Sequence, residues 1–188
     1  MHRTCYWTFV LIAAALVAQT KPPSPHAAPA SKRYCQPDGG FCFRYPTSWG
    51  IQGQVFDGNG IVIAPSQQPG QASEITVALV MPPPEGDEEP PSIDSMIEQA
   101  SKTIRESGQD FQTLQRQRRT VDNQPAELLK VRYRDKDSGQ DWIEEIIFID
   151  GPDDEIYSIA LKCPPQDLAR AEPVFARVVG SWALSEAK

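Results

Sequence analysis

Between Phe41 and Leu161 the chain is largely a succession of short apolar alternations cut by polar turns. Phe41, Phe43 and Tyr45 alternate with Cys42 and Arg44, the two-residue period of a strand, which Pro46 ends. Trp49 follows as an anchor for the next corner. Residues 51–56 and 61–64 flank Asp57-Gly58-Asn59-Gly60, a hairpin signal because both glycines tolerate positive φ. Glu74–Met81 contains Ile-Thr-Val-Ala-Leu-Val, the β-branched run of a central strand. After an acidic, proline-rich loop at 82–91 the period changes. Ile93, Met96, Ile97, Ala100 and Ile104 trace one helical stripe, with Ser92 at the N-cap position and Gly108 at the end. Strand patterning returns at 111–120, 126–134, 141–149 and 155–162, separated by turns at Asp122-Asn123, 135–140 and 150–155. A second helix starts near Asp167. Its apolar face carries Leu168, Ala171, Phe175, Val178, Val179 and Trp182, and Pro173 either kinks it or opens its main segment.

Strands, helix, strands, helix, with tight turns between successive strands, predict an α+β fold built on a mostly antiparallel sheet. The last three strands are apolar on both faces. Alternation places Leu129, Val131 and Tyr133 with Ile143, Ile147, Ile149, Tyr157, Ile159 and Leu161 on one side. Leu128, Ile146, Phe148 and Ile156 fall on the other. Such a sheet needs cover on both sides, so the two helices are expected to sandwich it as α/β/α.

The first 18 residues read as a signal peptide: His2 and Arg3 precede an apolar run of 13 residues, Tyr6–Ala18, with cleavage after Ala18. That run is shorter than a bilayer core of ~30 Å requires, and Cys5 precedes it, so neither a membrane span nor a lipid anchor is expected after cleavage. Residues 19–33, including KPPSPHAAPASK, form a Pro/Ala-rich tether, and residues 34–188 a single domain. The expected location is periplasmic or extracellular. The formal net charge of −7 becomes one unit more negative when Arg3 leaves, which argues against a nucleic-acid partner and against anionic lipid. Cys35 and Cys42 flank Gln-Pro-Asp-Gly-Gly-Phe, a sequence built to turn. They are the expected disulfide, with a bridge from either to Cys163 as the competing connectivity.

Both histidines, His2 and His26, precede the domain. Their position removes Ser-His-Asp, Cys-His and HExxH chemistry, leaving Ser-Lys dyads, paired carboxylates and oxygen-ligand metal sites. No glycine-rich phosphate loop or nucleophile elbow occurs, and no cofactor is expected. Three acidic clusters, at 85–89, at 135–141 and at 150–155, lack EF-hand spacing and read as hydrated turns; the 150–155 turn is the one best placed to hold calcium. Arg116, Arg118, Arg119, Lys130, Arg132 and Arg134 form the sole basic concentration. If 111–119 pairs with 126–134, much of it shares one strand face, and Arg132 is expected opposite Glu144. Glu145 is out of character on its face, set by alternation among Ile143, Ile147, Val131 and Leu161, and a carboxylate there needs a partner. Arg116, Arg118, Arg132 and Glu145 are therefore the candidate ligand or partner surface.

The domain from about Tyr34 to Leu184 resembles the PsbP-like superfamily, which includes the extrinsic PsbP subunit of photosystem II, the Ran-binding Mog protein and DcrB-type envelope proteins. The resemblance rests on four pieces. Phe41-Cys42-Phe43-Arg44-Tyr45-Pro46 with Trp49 looks like that family's opening strand and corner, and a helix at 93–107 follows the fourth strand. Val121-Asp122-Asn123-Gln124-Pro125-Ala126 with Tyr133 is similar to a family turn, although Asn123 stands where glycine is usual. Phe175–Trp182 looks like the terminal helix. The resemblance implies an antiparallel sheet between helices and a binding or accessory role without catalysis, and it transfers no functional residue. The sequence thus predicts an exported, non-enzymatic protein that meets a protein or envelope component. A small-ligand carrier with a pocket between sheet and helix is the alternative, and a histidine-independent hydrolase comes third.

Overall fold

A computed structural model describes residues 30–37, 40–66, 73–81 and 91–185. The signal peptide, most of the tether and the acidic cluster at 85–89 lie outside the described residues. Ten strands and two α-helices follow in the order β1 (Ser31–Cys35), β2 (Gly40–Pro46), β3 (Trp49–Val55), β4 (Gly60–Pro65), β5 (Glu74–Met81), α1 (Ile93–Ser107), β6 (Gly108–Val121), β7 (Gln124–Asp135), β8 (Asp141–Asp150), β9 (Ile156–Cys163), α2 (Leu168–Ser181) and β10 (Ala183–Ser185). Seven strands form one sheet in the order β3-β4-β5-β9-β8-β7-β6, and β1-β2-β10 form a small second sheet. Every pairing is antiparallel.

The helices cover opposite faces of the large sheet, as a two-sided apolar sheet requires. Ile97 and Ile104 of α1 pack with Leu129, Val131, Ile146 and Phe148. On the other face Phe175, Val178 and Val179 of α2 pack with Ile147, Ile159 and Leu161, and Phe41 and Phe43 of the small sheet join them. The small sheet is thus an added element beside α2 in the expected sandwich. Ser92 caps α1 reciprocally: its Oγ accepts from the Ser95 N–H at 3.1 Å, and Ser95 Oγ accepts from the Ser92 N–H at 3.2 Å. Helix α2 runs through Pro173 from Leu168, so that proline does not open its main segment. Among the described residues no helix is long and apolar enough to cross a membrane.

Strand β7 departs from the expected arrangement. Leu129 pairs with Ile146 and Leu128 with Ile147, so Leu129, Val131 and Tyr133 lie beneath α1 and Leu128 beneath α2, the reverse of the alternation reading. Because strand side chains have a period of two, a one-residue change of register exchanges the faces, and a strand apolar on both sides does not specify which. Arg132 consequently faces Ile143 and not Glu144, which lies opposite Val131. Strand β1 begins at Ser31, so Ser31–Arg33, read as tether, pair with Arg44–Pro46. The 57–60 corner divides its glycines by task. Gly58 takes the positive φ of 96°, whereas Gly60 makes room for β5, since a Cβ there would lie 2.6 Å from that of Ala78. Cys35 and Cys42 are paired in register on β1 and β2 and bonded to each other.

Candidate functional site

Residues 111–121, FQTLQRQRRTV, contain three arginines, three glutamines and no acid, and offer no continuous apolar face to bury. The segment accordingly becomes the outermost strand, β6, and every residue from Gln112 to Thr120 is exposed. Bulges interrupt its pairing with β7 between Gln109 and Gln112 and between Thr113 and Gln115. From Gln115 to Val121 the register is unbroken and closes on Asp122 and Asn123, with φ of 48° and 64°. Two successive left-handed residues make the primed turn that matches strand twist, and the pair flanking such a two-residue turn is hydrogen-bonded. Alternation back from Val121–Gln124 then directs the N–H and C=O of Arg119 and Gln117 toward β7. Those of Thr120, Arg118 and Arg116 point away from the sheet.

The two faces of β6 meet different surroundings. On the α2 side, Gln115, Gln117 and Arg119 wall a groove of about 460 Å³ that has Leu128 and Glu145 at its base and Glu172, Phe175 and Val179 opposite. Both groove carboxylates meet Lys130, whose Nζ lies 2.5 Å from Glu145 Oε1 and 3.1 Å from Glu172 Oε1. Lys130 and Glu145 are register partners on β7 and β8, with side chains 14% and 7% exposed. Burial works against the Lys130 charge, but hydrogen bonds to Glu145 and Glu172 outweigh it and raise its pKa. On the α1 side, Arg116 Nε donates to Glu127 Oε1 at 2.5 Å and its guanidinium also holds Asp94 in the first turn of α1. Arg116 therefore ties strand to helix. Among the described residues neither Arg118 nor Arg119 forms an ion pair or side-chain hydrogen bond. Both line a second hollow of about 600 Å³ beside the β6–β7 turn, with Ser92 and Asp150.

The four candidate residues from the sequence are divided among three places. Arg116 and Arg118 share the α1 side of β6, and Glu145 lies across the sheet beneath α2. Arg132 sits toward the other end of β7, where Asp141 takes it at 3.2 Å and Arg134 at 2.9 Å. Hydrogen bonds from Arg134 and then Arg132 hold the Asp141 carboxyl below its ordinary range. The basic concentration is thus split between faces. The partner that Glu145 needs is Lys130, a residue visible in the sequence but assigned to the wrong face. The groove residues Gln115, Gln117 and Phe175 carry no chemical signal in the sequence beyond their place on β6 and α2. Among the described residues no three His, Cys, Asp or Glu side chains converge on one point. In the 135–141 turn Asp135 is occupied by the Ser138 N–H and hydroxyl, at 2.8 and 2.6 Å.

Cys163 is fully buried and unbonded beneath α2. Burial, then the Asp167 and Glu145 carboxylates, push its thiol up to about 11. In protein carrying Cys5→Ser, an aromatic disulfide reagent at pH 8 is expected to leave the native chain unlabelled and to titrate one thiol after denaturation. Rapid labelling of the native chain would contradict this placement.

No protein-family profile matches the chain. No curated protein matches it either. Its fold nevertheless recurs among solved structures. The cyanobacterial PsbP (CyanoP) of Synechocystis aligns with a TM-score of 0.61 at 13% identity, over 87% of this chain and 98% of that one. The Ran-binding protein Mog1p of Saccharomyces cerevisiae gives 0.56 at 14% identity, over 84% and 96%. LpqN of Mycobacterium tuberculosis, involved in cell envelope biogenesis, gives 0.53 at 13% identity, over 84% and 91%. At such identities the likeness is one of fold. A two-faced antiparallel sheet between α1 and α2 is the PsbP/Mog-type α+β fold.

Proposed function

We propose that this chain is an exported, non-catalytic accessory protein that binds a protein partner along β6. The observation that carries the reading is the free edge itself: nine consecutive exposed residues, Gln112–Thr120, with two arginines unpaired among the described residues and the groove beside them. The leader-like N-terminus and the Cys35–Cys42 bond support export. The absence of histidine from residues 34–188 supports a role without acid–base turnover. The structural likeness to a Ran-binding protein and to an envelope-biogenesis protein is in keeping with a binding role.

A photo-crosslinking amino acid placed at Leu114 tests this against the same residue at Ile51, an equally exposed apolar position on the opposite edge strand β3. In the source envelope, a discrete adduct is expected from position 114 and not from 51. Adducts from 51 alone, or from neither, would refute the reading. A small-ligand carrier is the second reading, favoured by the groove at Arg119 and Glu145. It predicts a ligand-dependent rise in melting temperature that Ala176→Trp, on the groove wall, abolishes.

A further inference from the structure

We infer that β6 receives its partner as an added strand, and that the segment it takes is extended and acidic. The inference rests on the reading of β6 as the binding edge and specifies the chemistry of the occupant. The first observation is the backbone. Between Gln115 and Val121 the strand is unbulged, and Arg116, Arg118 and Thr120 turn their N–H and C=O groups outward. No described element covers them. An extended segment laid alongside satisfies these groups with the ladder that β7 supplies on the other side.

The second observation is charge. The molecule is acidic overall, at −7, yet the longest edge strand among the described residues holds Arg116, Arg118 and Arg119 with no acid among residues 111–121. Arg116 is already engaged by Glu127 and Asp94 and serves the fold. Arg118 is offered on the α1 side and Arg119 on the groove side, so carboxylates at successive positions of an added strand reach one each. Opposite charges facing each other across strands are stabilising and like charges destabilising.

The same rule decides against a second copy of this chain. Antiparallel addition of β6 to itself must set outward residues opposite outward residues. Centred on or one pair beside the middle of the unbulged stretch, such alignments place Arg118 against Arg118, Arg116 against Arg118, or Arg119 against Arg119. Each juxtaposes like charges, and of these arginines only Arg116 has carboxylates paired with it. An acidic strand sets its carboxylates against Arg118 and Arg119, the two cations that line the hollow together with Asp94, Asp150 and Asp154.

The test uses the full chain and a labelled, capped nine-residue threonine peptide with glutamate at its three central positions, so that carboxylates face both sides of the added strand. A second peptide has lysine for glutamate, and a third is N-methylated at its five central residues, which removes the donors opposite Arg116–Thr120 in either register. The glutamate peptide is expected to bind, the lysine peptide not to bind, and N-methylation to weaken binding about tenfold. Arg118→Glu/Arg119→Glu, which breaks no described contact, should also weaken it about tenfold. Thr120→Pro leaves the charge unchanged and removes one outward N–H. Its own register partner is Pro125, so the fold should be retained while affinity falls about fivefold. Undiminished binding of the N-methylated peptide would overturn strand addition and leave a merely electrostatic contact. A dimer in sedimentation that Thr120→Pro dissolves would assign the edge to a second copy and likewise overturn it. If no acidic peptide binds while position 114 still crosslinks, this inference fails and the accessory reading stands; if both are negative, both fail.

Discussion

Lys130→Met is expected to lower stability by about 3 kcal/mol, far beyond the few tenths that separate most surface pairs from nothing. The reason is geometric. Glu145 is 6% exposed beneath α2, and Lys130, 2.5 Å away, is its counter-charge across the β7–β8 ladder. Methionine fills the lysine stem but leaves Glu145, opposite Leu161 in the ladder and beside Leu128 and Phe175 in the groove, without a cation, and an unmatched buried charge costs several kcal/mol. The double substitution Lys130→Met/Glu145→Leu removes both charges while keeping volume, and should return stability to within about 1 kcal/mol of the parent. Glu172, half exposed, is then left to water. Urea midpoints at constant m-value measure both. A single variant as stable as the parent, or a double variant worse than the single, would show that the pair is not what holds Glu145.

Trp182→Ala should cost about 4 kcal/mol and Trp182→Phe about 1. Trp182 lies at the C-terminal end of α2, is 3% exposed, and meets Tyr157 edge-on with ring centroids 5.5 Å apart. Truncation to alanine opens a void where α2, β9 and the small sheet meet. Phenylalanine preserves the ring contact and discards an indole N–H that has no hydrogen-bond partner among the described residues, so little beyond volume is lost. Thermal unfolding separates the two outcomes. A phenylalanine variant as damaged as the alanine one would mean that the indole nitrogen has a role the packing does not explain.

Much of the architecture was legible because local signals agreed with one another. The Ser92 cap, the stripe from Ile93 to Ile104 and the stop at Gly108 all point to one helix, and α1 spans Ile93–Ser107. Asp122-Asn123 predicted a turn from residue type alone, and both residues are left-handed. What failed was parity. Leu128 and Leu129 are adjacent and both buried, so hydrophobicity does not say which of them faces α2. That single ambiguity misplaced Val131 beside Glu145 and hid Lys130, whose residue type suggested solvent. Strand β1 was missed for the converse reason. Its residues are mainly exposed, and it owes its conformation to pairing with β2 and not to any pattern of its own. The edge strand was legible as a strand and as a basic segment. That it would be an outer strand depends on the order of the sheet, a non-local property that no window of the sequence contains.

Strand β9 occupies the middle of the seven, and its residues serve two masters. Ile156 and Ala160 belong with α1, whereas Tyr157, Ile159 and Leu161 belong with α2. Neither helix can therefore undock far without loosening the strand on which the other depends. The layers share one fate, melting as a single cooperative unit. Breathing is left to the margins, where β3 and β6 can open and close while the centre stays shut.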